Sequence, residues 1–543
     1  MNLSCDVLIV GAGLAGATLA RQLRLEQPGL DIVVVDKAID FHPGMDEAMG
    51  EEFANYANRV LGLGGYLRKA HIVCSGTRFF FDTADRDATI DRMSEIGRRE
   101  PHPLPTYFID RPAVERELAR LNRESGVRVL LGTTVQDVLT VDGTRGHQVA
   151  TTAGVVTCRW LVDAAGVDSP FMRRYDTTMD DEPGTLTAVW GRIDGCRPLD
   201  TFGPKSWRKR VPHWGRESDM VQFCYRGYWM WLMPISATEF SVGVVTHRAH
   251  VRPELTSPEK LLDFLREHQA MRDVLGESPV LTGFGRRDVT PRMVTHQFTA
   301  DRWFVTGHAA TVLDPMFATS SWVLAENNKL ICDFIATDLA GREERFPALL
   351  HHYDIRAHSR YRKMVGTAGR YAALGSFDAW SAWLALRTRV YYNRIVPDAM
   401  EDHRVLLTFA HSHGVDCDCA EVVLDGILAR LLVTVDRLTE ELVATLDQDG
   451  TTTTANSGIF LDSKPFDQDP ELIGKVHLRR DWRVERIVDR QNYAVFCRTV
   501  MRRLMELRGQ PWHEAAFTAV FAPDWDDKQT LADLYSGMLA WSP

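Results

Sequence analysis

Short apolar runs separated by a helical pattern dominate the first forty residues of the chain. Residues 6–10 (DVLIV) and 31–36 (DIVVVD) are apolar stretches of strand length, and residues 17–25 carry apolar side chains at helical spacing. A strand, a helix and a second strand in this order are typical of a parallel βαβ unit. We therefore predict that this part of the chain folds as an α/β domain.

Further apolar patterns predict a group of strands in the middle of the chain and helices towards its end. The predicted strands lie near residues 187–193, 220–224, 229–234 and 240–245. The predicted helices lie near residues 320–336, 416–433, 435–446 and 482–507. The polar stretch 450–458 (GTTTTANSG) has low helix and strand propensity and is predicted to be a loop.

The composition is that of an ordinary globular protein. With 543 residues, 45% hydrophobic and 25% charged, two or three domains are expected, and disordered, collagenous and coiled-coil classes are excluded. The net charge of −10 gives no general attraction to nucleic acid or to an anionic membrane. Nine scattered cysteines, no long apolar run and no secretory segment lead us to expect a soluble cytoplasmic protein with reduced thiols.

A glycine motif, GAGLAG at residues 11–16, joins the first predicted strand to its helix. Gly11 permits a tight turn, Gly13 lets the backbone approach a pyrophosphate, and Gly16 allows the helix to pack closely on the strand. The helix N-terminus supplies N–H groups for the phosphates, and Asp36 is placed to bind a ribose hydroxyl pair. The predicted contacts to a dinucleotide, NAD or FAD alike, are Gly11, Ala12, Gly13, Ala15, Gly16, Asp36 and Lys37.

Two later segments resemble FAD-dependent hydroxylases rather than NAD dehydrogenases. Residues 158–166 (CRWLVDAAG) are similar to the strand that packs under the dinucleotide in those proteins, and residues 302–315 (RWFVTGHAATVLDP) to their second flavin segment. The resemblance implies FAD as the cofactor. It also implies FAD contacts at Arg111, Val135, Gly307, His308 and Pro315.

The resemblance narrows to the flavin-dependent halogenases, in particular to their phenol and pyrrole branch. Residues 48–52 (AMGEE), 61–69 (LGLGGYLRK) and 107–111 (YFIDR) are similar to stretches of that family. Residues 229–234 (WMWLMP) resemble its WxWxIP signature, and residues 314–321 (DPMFATSS) stand where the family carries DPxFSxG. The resemblance covers residues 3 to about 395.

The architecture implied by this resemblance is an α/β (α+β) fold of the hydroxylase and halogenase type. We expect a Rossmann-like FAD-binding domain at 1–180 and 281–345, a substrate-side antiparallel sheet at 181–280, and a mainly helical region at 346–543 that covers a tunnel or acts as a lid. The sequence carries one dinucleotide fingerprint, so no separate NAD(P)H domain is evident. Hydroxylases of this superfamily can reduce the flavin with transiently bound NADPH, whereas the resemblance to halogenases implies a separate flavin reductase that supplies reduced FAD, which we favour.

Trp229 and Trp231 are two residues apart, so on a strand they project from the same face. Core packing explains such a pattern, but beside the flavin segments we favour a wall between flavin and substrate. The candidate tunnel residues are Cys74, Trp229, Trp231, Phe317, Thr319 and Ser320.

The position of the halogenase relay lysine is the most important departure from the family pattern. The family carries this lysine just before a strand that corresponds to residues 71–81 (HIVCSGTRFFF), where the equivalent residue is Cys74 or Val73. No lysine occurs between Lys69 and Lys205, and Lys69 is expected to be a solvated residue at a helix end. A thiol would be oxidised by hypohalous acid rather than pass it on.

Two further departures concern the flavin and halide sides of the site. The glycine of the SxG turn is replaced by Ser320 or Ser321. The carboxylate that follows the glycine of the second flavin segment is replaced by His308, which loses an acceptor for ribityl hydroxyl groups. Together, these departures disfavour a standard halogenase.

The favoured interpretation is an FAD-dependent monooxygenase or oxidase in which reduced FAD and O2 give a C4a-hydroperoxide that oxidises a secondary-metabolite intermediate. The substrate is expected to be a small molecule, free or tethered to a carrier protein. The basic stretch 204–216 is either a docking patch for such a carrier or a solvated loop. Two alternatives stay open: a halogenase with an unorthodox relay, and a degenerate flavoprotein that acts as a binding partner.

A metal site is not expected. The stretch 411–419 (HSHGVDCDC) contains two histidines and two cysteines, but they are too close together for a normal zinc site, which joins separated halves.

Overall fold

The structure, a computed structural model, describes residues 3–102, 106–140, 146–179, 185–211, 215–277, 279–364, 368–390, 439–464, 510–520 and 531–540. Five single residues are also described: Asp142, Asp436, Arg498, Arg502 and Met505. The chain divides into two compact units, each assembled from three stretches. The first comprises residues 1–73, 104–185 and 288–365, and the second residues 74–103, 186–287 and 366–543.

A seven-stranded sheet forms the centre of the first unit. Its strands are β1 (Leu3–Val10), β2 (Ile32–Asp36), β7 (Arg128–Leu131), β8 (Val135–Thr140), β9 (His147–Thr151), β10 (Gly154–Asp163) and β18 (Trp303–Val305). The order is β7-β2-β1-β10-β9-β8, with β18 also paired to β10. Strands β7, β2, β1, β10 and β18 are parallel, and β9 pairs antiparallel with both β8 and β10. The predicted βαβ unit is therefore present.

Both faces of this sheet are buried at its centre, which explains why residues 7–10 of β1 and 32–35 of β2 are apolar throughout. The helices of the first unit are α1 (Leu14–Glu26), α2 (Glu51–Arg59), α3 (Gly64–Ala70), α4 (Arg111–Glu124), α8 (Gly307–Ala310), α9 (Thr319–Leu339) and α10 (Phe346–Met364). Helix α1 packs against α4 and α9. These helices share one core with Val7 and Ile9 of β1, whereas Leu8 and Val10 belong to a separate core on the opposite face.

Two small sheets complete the first unit. One contains β3 (Ile72–Cys74) and β6 (Thr106–Phe108). The other contains β11 (Thr177–Met179), β17 (Arg292–Val294) and β19 (Thr311–Val312), with β17 in the centre.

An eight-stranded sheet forms the centre of the second unit. In sheet order its strands are β16 (Leu281–Val289), β12 (Leu186–Asp194), β15 (Glu239–His247), β14 (Tyr228–Pro234), β13 (Met220–Tyr225), β4 (Thr77–Phe81), β5 (Ser94–Gly97) and β20 (Phe460–Asp462). The four strands predicted between residues 187 and 245 are present. They pair antiparallel with one another, as expected, whereas two parallel pairs, β4 with β13 and β20 with β5, involve strands outside the predicted range 181–280.

Helices cover both faces of this second sheet. The helices of the second unit are α5 (Lys205–Arg208), α6 (Pro258–Arg266), α7 (Gln269–Leu275), α11 (Ala368–Ala373), α12 (Phe377–Val390), α13 (Glu514–Val520) and α14 (Leu531–Ala540), with helical residues also at 439–448. Helices α6 and α7 share a core with one face of the sheet. On the other face, the ring of Phe79 lies 5.7 Å from Trp380, and that of Phe81 lies 5.7 Å from Phe377.

The two compact units differ from the predicted domain boundaries in three places. Residues 74–103 join the second unit, because β4 pairs with β13. Helix α10 belongs to the first unit, and β20 adds a strand to a region expected to be helical. The assignment of an FAD-binding domain, a substrate-side domain and a lid stays a prediction.

Predictions for the C-terminal region are only partly covered by the described residues. Residues 450–458 form turns, as predicted, and helical residues 439–448 overlap the predicted helix 435–446. The predicted helix 416–433 and the stretch 411–419 lie outside the described residues, as does most of the predicted helix 482–507.

Candidate functional site

The turn between β1 and α1 requires glycine at two positions for steric reasons. Gly11 has a φ angle of +110°, and a Cβ atom there would overlap the carbonyl oxygen of Ala164 at the end of β10. A Cβ atom on Gly16 would overlap the carbonyl oxygen of Gly11. The fold itself therefore requires both glycines, because backbone segments meet at these points.

Gly13 differs from these two glycines because no atom of the described residues crowds it. Its φ of −65° and ψ of −177° are accessible to other residues, and a Cβ atom would lie 3.6 Å from Glu115 Oε1 and 4.0 Å from Arg111 Nη2. As the N-cap of α1, Gly13 supplies no capping side chain. It leaves space in front of the helix N-terminus, as the close approach of an anionic group requires.

The backbone N–H groups at this helix end are only partly used within the protein. The N–H of Leu14 donates to Glu115 Oε1 at 3.0 Å. Among the described residues, no acceptor is found for the N–H groups of Gly13 and Ala15. Two available amides, a bare N-cap and the positive end of a thirteen-residue helix fit the pyrophosphate of FAD.

Asp36 ends β2 beside the glycine turn. Its Oδ2 accepts a hydrogen bond from the N–H of Ala12 at 2.6 Å, and its Oδ1 accepts one from the N–H of Ala38 at 2.8 Å. Each carboxylate oxygen can accept a second hydrogen bond, so capacity for a ribose hydroxyl remains. Lys37 is exposed, and Val135 begins β8 shortly after Thr133, whose N–H donates to the carbonyl of Asp36 at 2.8 Å. Ribose contacts by these residues stay a prediction.

Arg111 begins α4 and lies beside the bare N-cap of α1. Its Nε donates to Glu115 Oε1 at 2.9 Å, and its Nη1 donates to Asp46 Oδ2 at 3.0 Å. Sequence reasoning missed both carboxylates, although the four-residue spacing of Arg111 and Glu115 is a recognisable ion-pair signal on a helix. The two pairs hold a guanidinium where it can neutralise a phosphate.

The second flavin segment meets the first at Gly307. This residue has a φ of +61°, and a Cβ atom on it would stand 2.7 Å from the Cβ of Ala15. The next residue, His308, places its Nδ1 4.0 Å from Asp46 Oδ2. The structure thus brings Arg111 and His308 together at Asp46, with Gly13 beside Arg111, although these residues come from distant parts of the chain.

The turn that precedes α9 contains a strained alanine. Asp314 Oδ1 accepts a hydrogen bond from the N–H of Met316 at 3.0 Å, and Ala318 has a left-handed φ of +52°. Sequence comparison placed the replaced glycine at Ser320 or Ser321, whereas the left-handed residue of the turn is Ala318. The half-buried residues of this turn and of the first residues of α9 include Pro315, Phe317, Thr319 and Ser320.

Two buried polar residues hold the FAD-binding segments together, and neither was found from the sequence. Asn328 of α9 accepts a hydrogen bond from Thr306 Oγ1 at 2.9 Å and donates one to Thr18 Oγ1 at 3.0 Å, which links β18 to α1. Asp163, at the end of β10, accepts hydrogen bonds from the N–H of Ala165 at 2.9 Å and from the hydroxyl of Tyr175 at 2.8 Å. Burial raises the pKa of Asp163, while these hydrogen bonds lower it.

Trp229 and Trp231 lie on β14 in the second unit, and each is only 2% exposed. Their ring centroids are 5.5 Å apart, and Trp231 Nε1 donates to Ser241 Oγ at 3.1 Å. Trp229 Nε1 is buried without a hydrogen-bond partner among the described residues. Through strand alternation and register, the two indoles share a sheet face with Phe79 and Phe81 of β4.

Cys74 ends β3 and is buried, with Sγ 3.3 Å from the carbonyl oxygen of Gly76, to which it donates. The strand predicted through residues 71–81 is broken here, because β4 begins only at Thr77. Lys69 lies exposed in the last turn of α3, as predicted. Of the other lysines with described side chains, Lys329 and Lys464 are paired with glutamates, and the exposed ones are Lys37, Lys205, Lys209 and Lys260.

Within the described part of the chain, no group of three or more metal-ligating side chains could hold a metal ion. A search of the same residues finds no helix with the length and apolarity needed to cross a membrane.

The parallel sheet, the glycine turn and the bare helix N-terminus define a dinucleotide-binding flavoprotein. The family model described as FAD binding domain matches residues 4–368. The chain therefore belongs to this family, within the superfamily of FAD-dependent monooxygenases and flavin-dependent halogenases, and is an FAD-dependent enzyme. The predictions of FAD as the cofactor and of an enzyme are confirmed.

Several characterised proteins are similar to this chain at low identity. The flavin-dependent halogenase chlA of Dictyostelium discoideum is 22% identical over 78% of this chain and 76% of its own length. A menaquinone reductase of Mycolicibacterium smegmatis is 24% identical over 67% of this chain and 85% of its own. A 1H-pyrrole-2-carbonyl peptidyl-carrier-protein brominase of Pseudoalteromonas luteoviolacea is 22% identical over 63% of this chain and 80% of its own.

The crystal structure of halogenase PltM with phloroglucinol and FAD has the same fold. It superposes with a TM-score of 0.62 at 15% identity, covering 93% of this chain and 96% of PltM. The predicted fold class is thereby confirmed.

Proposed function

We propose that the protein uses reduced FAD and O2 to oxygenate or oxidise an aromatic intermediate of secondary metabolism, without using halide. Membership in the FAD-binding family and the similarity to halogenases support the reduced-flavin chemistry. The choice of oxygenation over halogenation rests on Cys74.

The position at which the halogenase pattern carries a lysine corresponds to Cys74 or Val73, and we assign it to Cys74, which is buried. A buried thiol cannot hold hypohalous acid by charge, and it is itself a target for that oxidant. The lysines with described side chains offer no substitute in the second unit, because they are exposed or, for Lys464, paired with Glu100 at 2.6 Å. Without a relay cation, incorporation of oxygen is the simplest outcome.

The aromatic face of the second unit's sheet supports an aromatic substrate. Phe79 already packs edge to face against Trp380 of α12, so a substrate ring would meet the neighbouring Trp229 and Trp231, whose indoles offer apolar ring surfaces. The buried indole N–H of Trp229 offers one donor that no described residue uses. A phenol oxygen or a carbonyl group is the complementary acceptor.

In this reaction the protein itself binds FAD and the substrate. Bound reduced FAD supplies two electrons and two protons, so that one atom of O2 enters the substrate and the other leaves as water. The bare N-cap at Gly13 and the guanidinium of Arg111 hold the pyrophosphate. The aromatic face of the second unit binds the substrate ring and keeps water away from it.

Two partners complete the proposal. A separate flavin reductase supplies reduced FAD. A carrier protein brings the substrate, as for the pyrrole brominase relative, which acts on a peptidyl-carrier-bound pyrrole. Its docking surface is the basic turn around α5, where Lys205, Arg208 and Lys209 are exposed and the intervening Trp207 is buried. Acidic partners are attracted to such a turn. The neighbouring residues 212–214 lie outside the described chain.

Labelling with 18O2 tests this function directly. The protein is supplied with FAD, NADH and a generic flavin reductase, together with excess bromide and a panel of phenols and pyrroles. We expect 18O in the product and no brominated product. A Gly13→Val variant, which should lose FAD, serves as the control for reactions caused by free reduced flavin.

The relatives favour a second candidate function, that of a halogenase with an unorthodox lysine. Lys69 is the lysine nearest in sequence to the relevant strand, and Lys69→Ala tests it with Lys260→Ala as a matched exposed control. Brominated product that disappears only in Lys69→Ala would establish the halogenase and contradict our proposal. Brominated product that survives in both variants would indicate hypobromite escaping from the flavin.

A further inference from the structure

A cavity lies on the face of the first unit's sheet opposite to α1. Its volume is about 230 Å3, and it is lined by Val138, Leu161, Phe171, Arg174 and Trp303. Val138, Leu161 and Phe171 belong to the core on that face, which is separate from the core beneath α1, α4 and α9. The glycine turn described above therefore does not line this cavity.

The cavity wall is apolar apart from one guanidinium group. Arg174 Nη2 donates to the carbonyl oxygen of Val138 at 3.1 Å and stands 3.5 Å from Asp137 Oδ1. The arginine side chain is 48% exposed, so its charge lies at the solvent side of the cavity. A guanidinium has five N–H donors in a planar fork, and these two contacts leave donors for an incoming carboxylate.

The size and lining of the cavity limit the class of ligand. Its volume is below the ~300 Å3 at which pockets for drug-sized ligands begin, so one aromatic ring or a short acyl chain fits. Water is poorly held by apolar walls, because it needs several polar partners. We propose that this cavity binds a small aromatic or short-chain carboxylate, whose apolar part contacts Phe171 and Trp303 and whose carboxylate pairs with Arg174.

The cavity is also connected to the FAD-binding turn. Tyr175 stacks on Trp303, with ring centroids 5.1 Å apart, and its hydroxyl donates to Asp163 Oδ2. Asp163 holds the turn whose Ala164 carbonyl contacts Gly11. A ligand that immobilises Trp303 and Tyr175 also orders this turn, so the ligand strengthens FAD binding, and FAD strengthens ligand binding by the same factor.

Calorimetric titration of the full FAD-free chain with benzoate tests the site. We expect one benzoate per chain and at least about tenfold weaker binding of benzamide, which has the same shape without the charge. Arg174→Gln should weaken benzoate binding at least about tenfold. Arg120→Gln, which changes an exposed arginine on α4, should leave it unchanged. Val138→Phe fills the cavity and should abolish binding. If that variant does not fold, Arg174→Gln still tests the site, because Arg174 is exposed and its replacement should not disturb the fold.

A fluorescence titration with FAD tests the connection to the cofactor. Saturating benzoate should tighten FAD binding by at least about threefold in the wild-type protein and should have no effect in Arg174→Gln. Four results would each overturn the proposal: no stoichiometric benzoate binding, equal affinity for benzoate and benzamide, full benzoate affinity in Arg174→Gln, or an FAD affinity unaffected by benzoate.

Discussion

Replacing Gly13 by alanine separates the glycine needed for the cofactor from those needed for the fold. The backbone angles of Gly13, φ −65° and ψ −177°, are allowed for alanine, and the nearest atom to a new Cβ would be 3.6 Å away. The FAD-free Gly13→Ala protein should therefore fold. Its free energy of unfolding should fall by no more than about 1 kcal/mol, because alanine is a poorer N-cap than glycine.

The main cost of this substitution should appear in FAD binding. A methyl group at the N-cap keeps a phosphate away from the N–H groups of Gly13 and Ala15. A hydrogen bond to a charged group contributes about 1.5–3 kcal/mol, so the loss of two amounts to about 3–6 kcal/mol. That corresponds to roughly a hundred- to twenty-thousand-fold weaker binding. Gly13→Val carries a larger side chain and should abolish FAD retention.

Two measurements on the same samples decide this prediction. Titration of FAD fluorescence gives the dissociation constant, and urea denaturation of the FAD-free proteins gives the stability. Gly16→Ala is the matched control, because its Cβ would overlap the backbone of Gly11. In this variant both the FAD affinity and the stability should be lower. FAD affinity of Gly13→Ala within threefold of the wild type would refute the assignment of the pyrophosphate site. A Gly13→Ala chain that fails to fold would show that Gly13 is required for the packing of the fold.

Two further predictions concern stability. In the second unit, burial lowers the pKa of His268 from 6.5 to about 4, and its Nε2 lies 2.8 Å from the hydroxyl of Tyr228. The neutral ring of His268 is the native form. Its contribution to the free energy of unfolding is therefore complete above pH 6.5 and is lost as the pH falls towards 4, which lowers that free energy by about 2 kcal/mol at pH 5. The urea midpoint should be lower at pH 5 than at pH 7.5, and this difference should be smaller in His268→Gln than in the wild type. An equal difference in the two proteins would contradict the prediction. Ala318→Gly relieves a left-handed alanine and should stabilise the protein by about 0.5–1 kcal/mol, because the ~1–2 kcal/mol of strain exceeds the added chain entropy of glycine. An unchanged or lower urea midpoint in Ala318→Gly would count against strain at this turn.

Much of the first unit was predictable because its signals are local. The apolar runs that form β1 and β2, the glycine turn and the helix α1 all follow from periodicity and from the backbone angles that glycine permits. The four central strands of the second unit were also located within two residues of their ends. These elements did not reveal that β4, β5 and β20 join the second sheet, since strand pairing between distant segments leaves no short-range pattern.

The residues of the candidate site also divide into those that the sequence identified and those that only the tertiary structure identified. The sequence by itself identified Gly11, Gly13 and Gly16 as a motif and pointed to FAD, because the spacing of strand, glycines and helix is a local property. Only the tertiary structure decided that Gly11 and Gly16 are required by contacts with backbone, whereas Gly13 faces open space beside Arg111. It also brought in Asp46, Glu115 and Asn328. Their roles depend on groups distant in sequence, and such contacts exist only once the chain has folded.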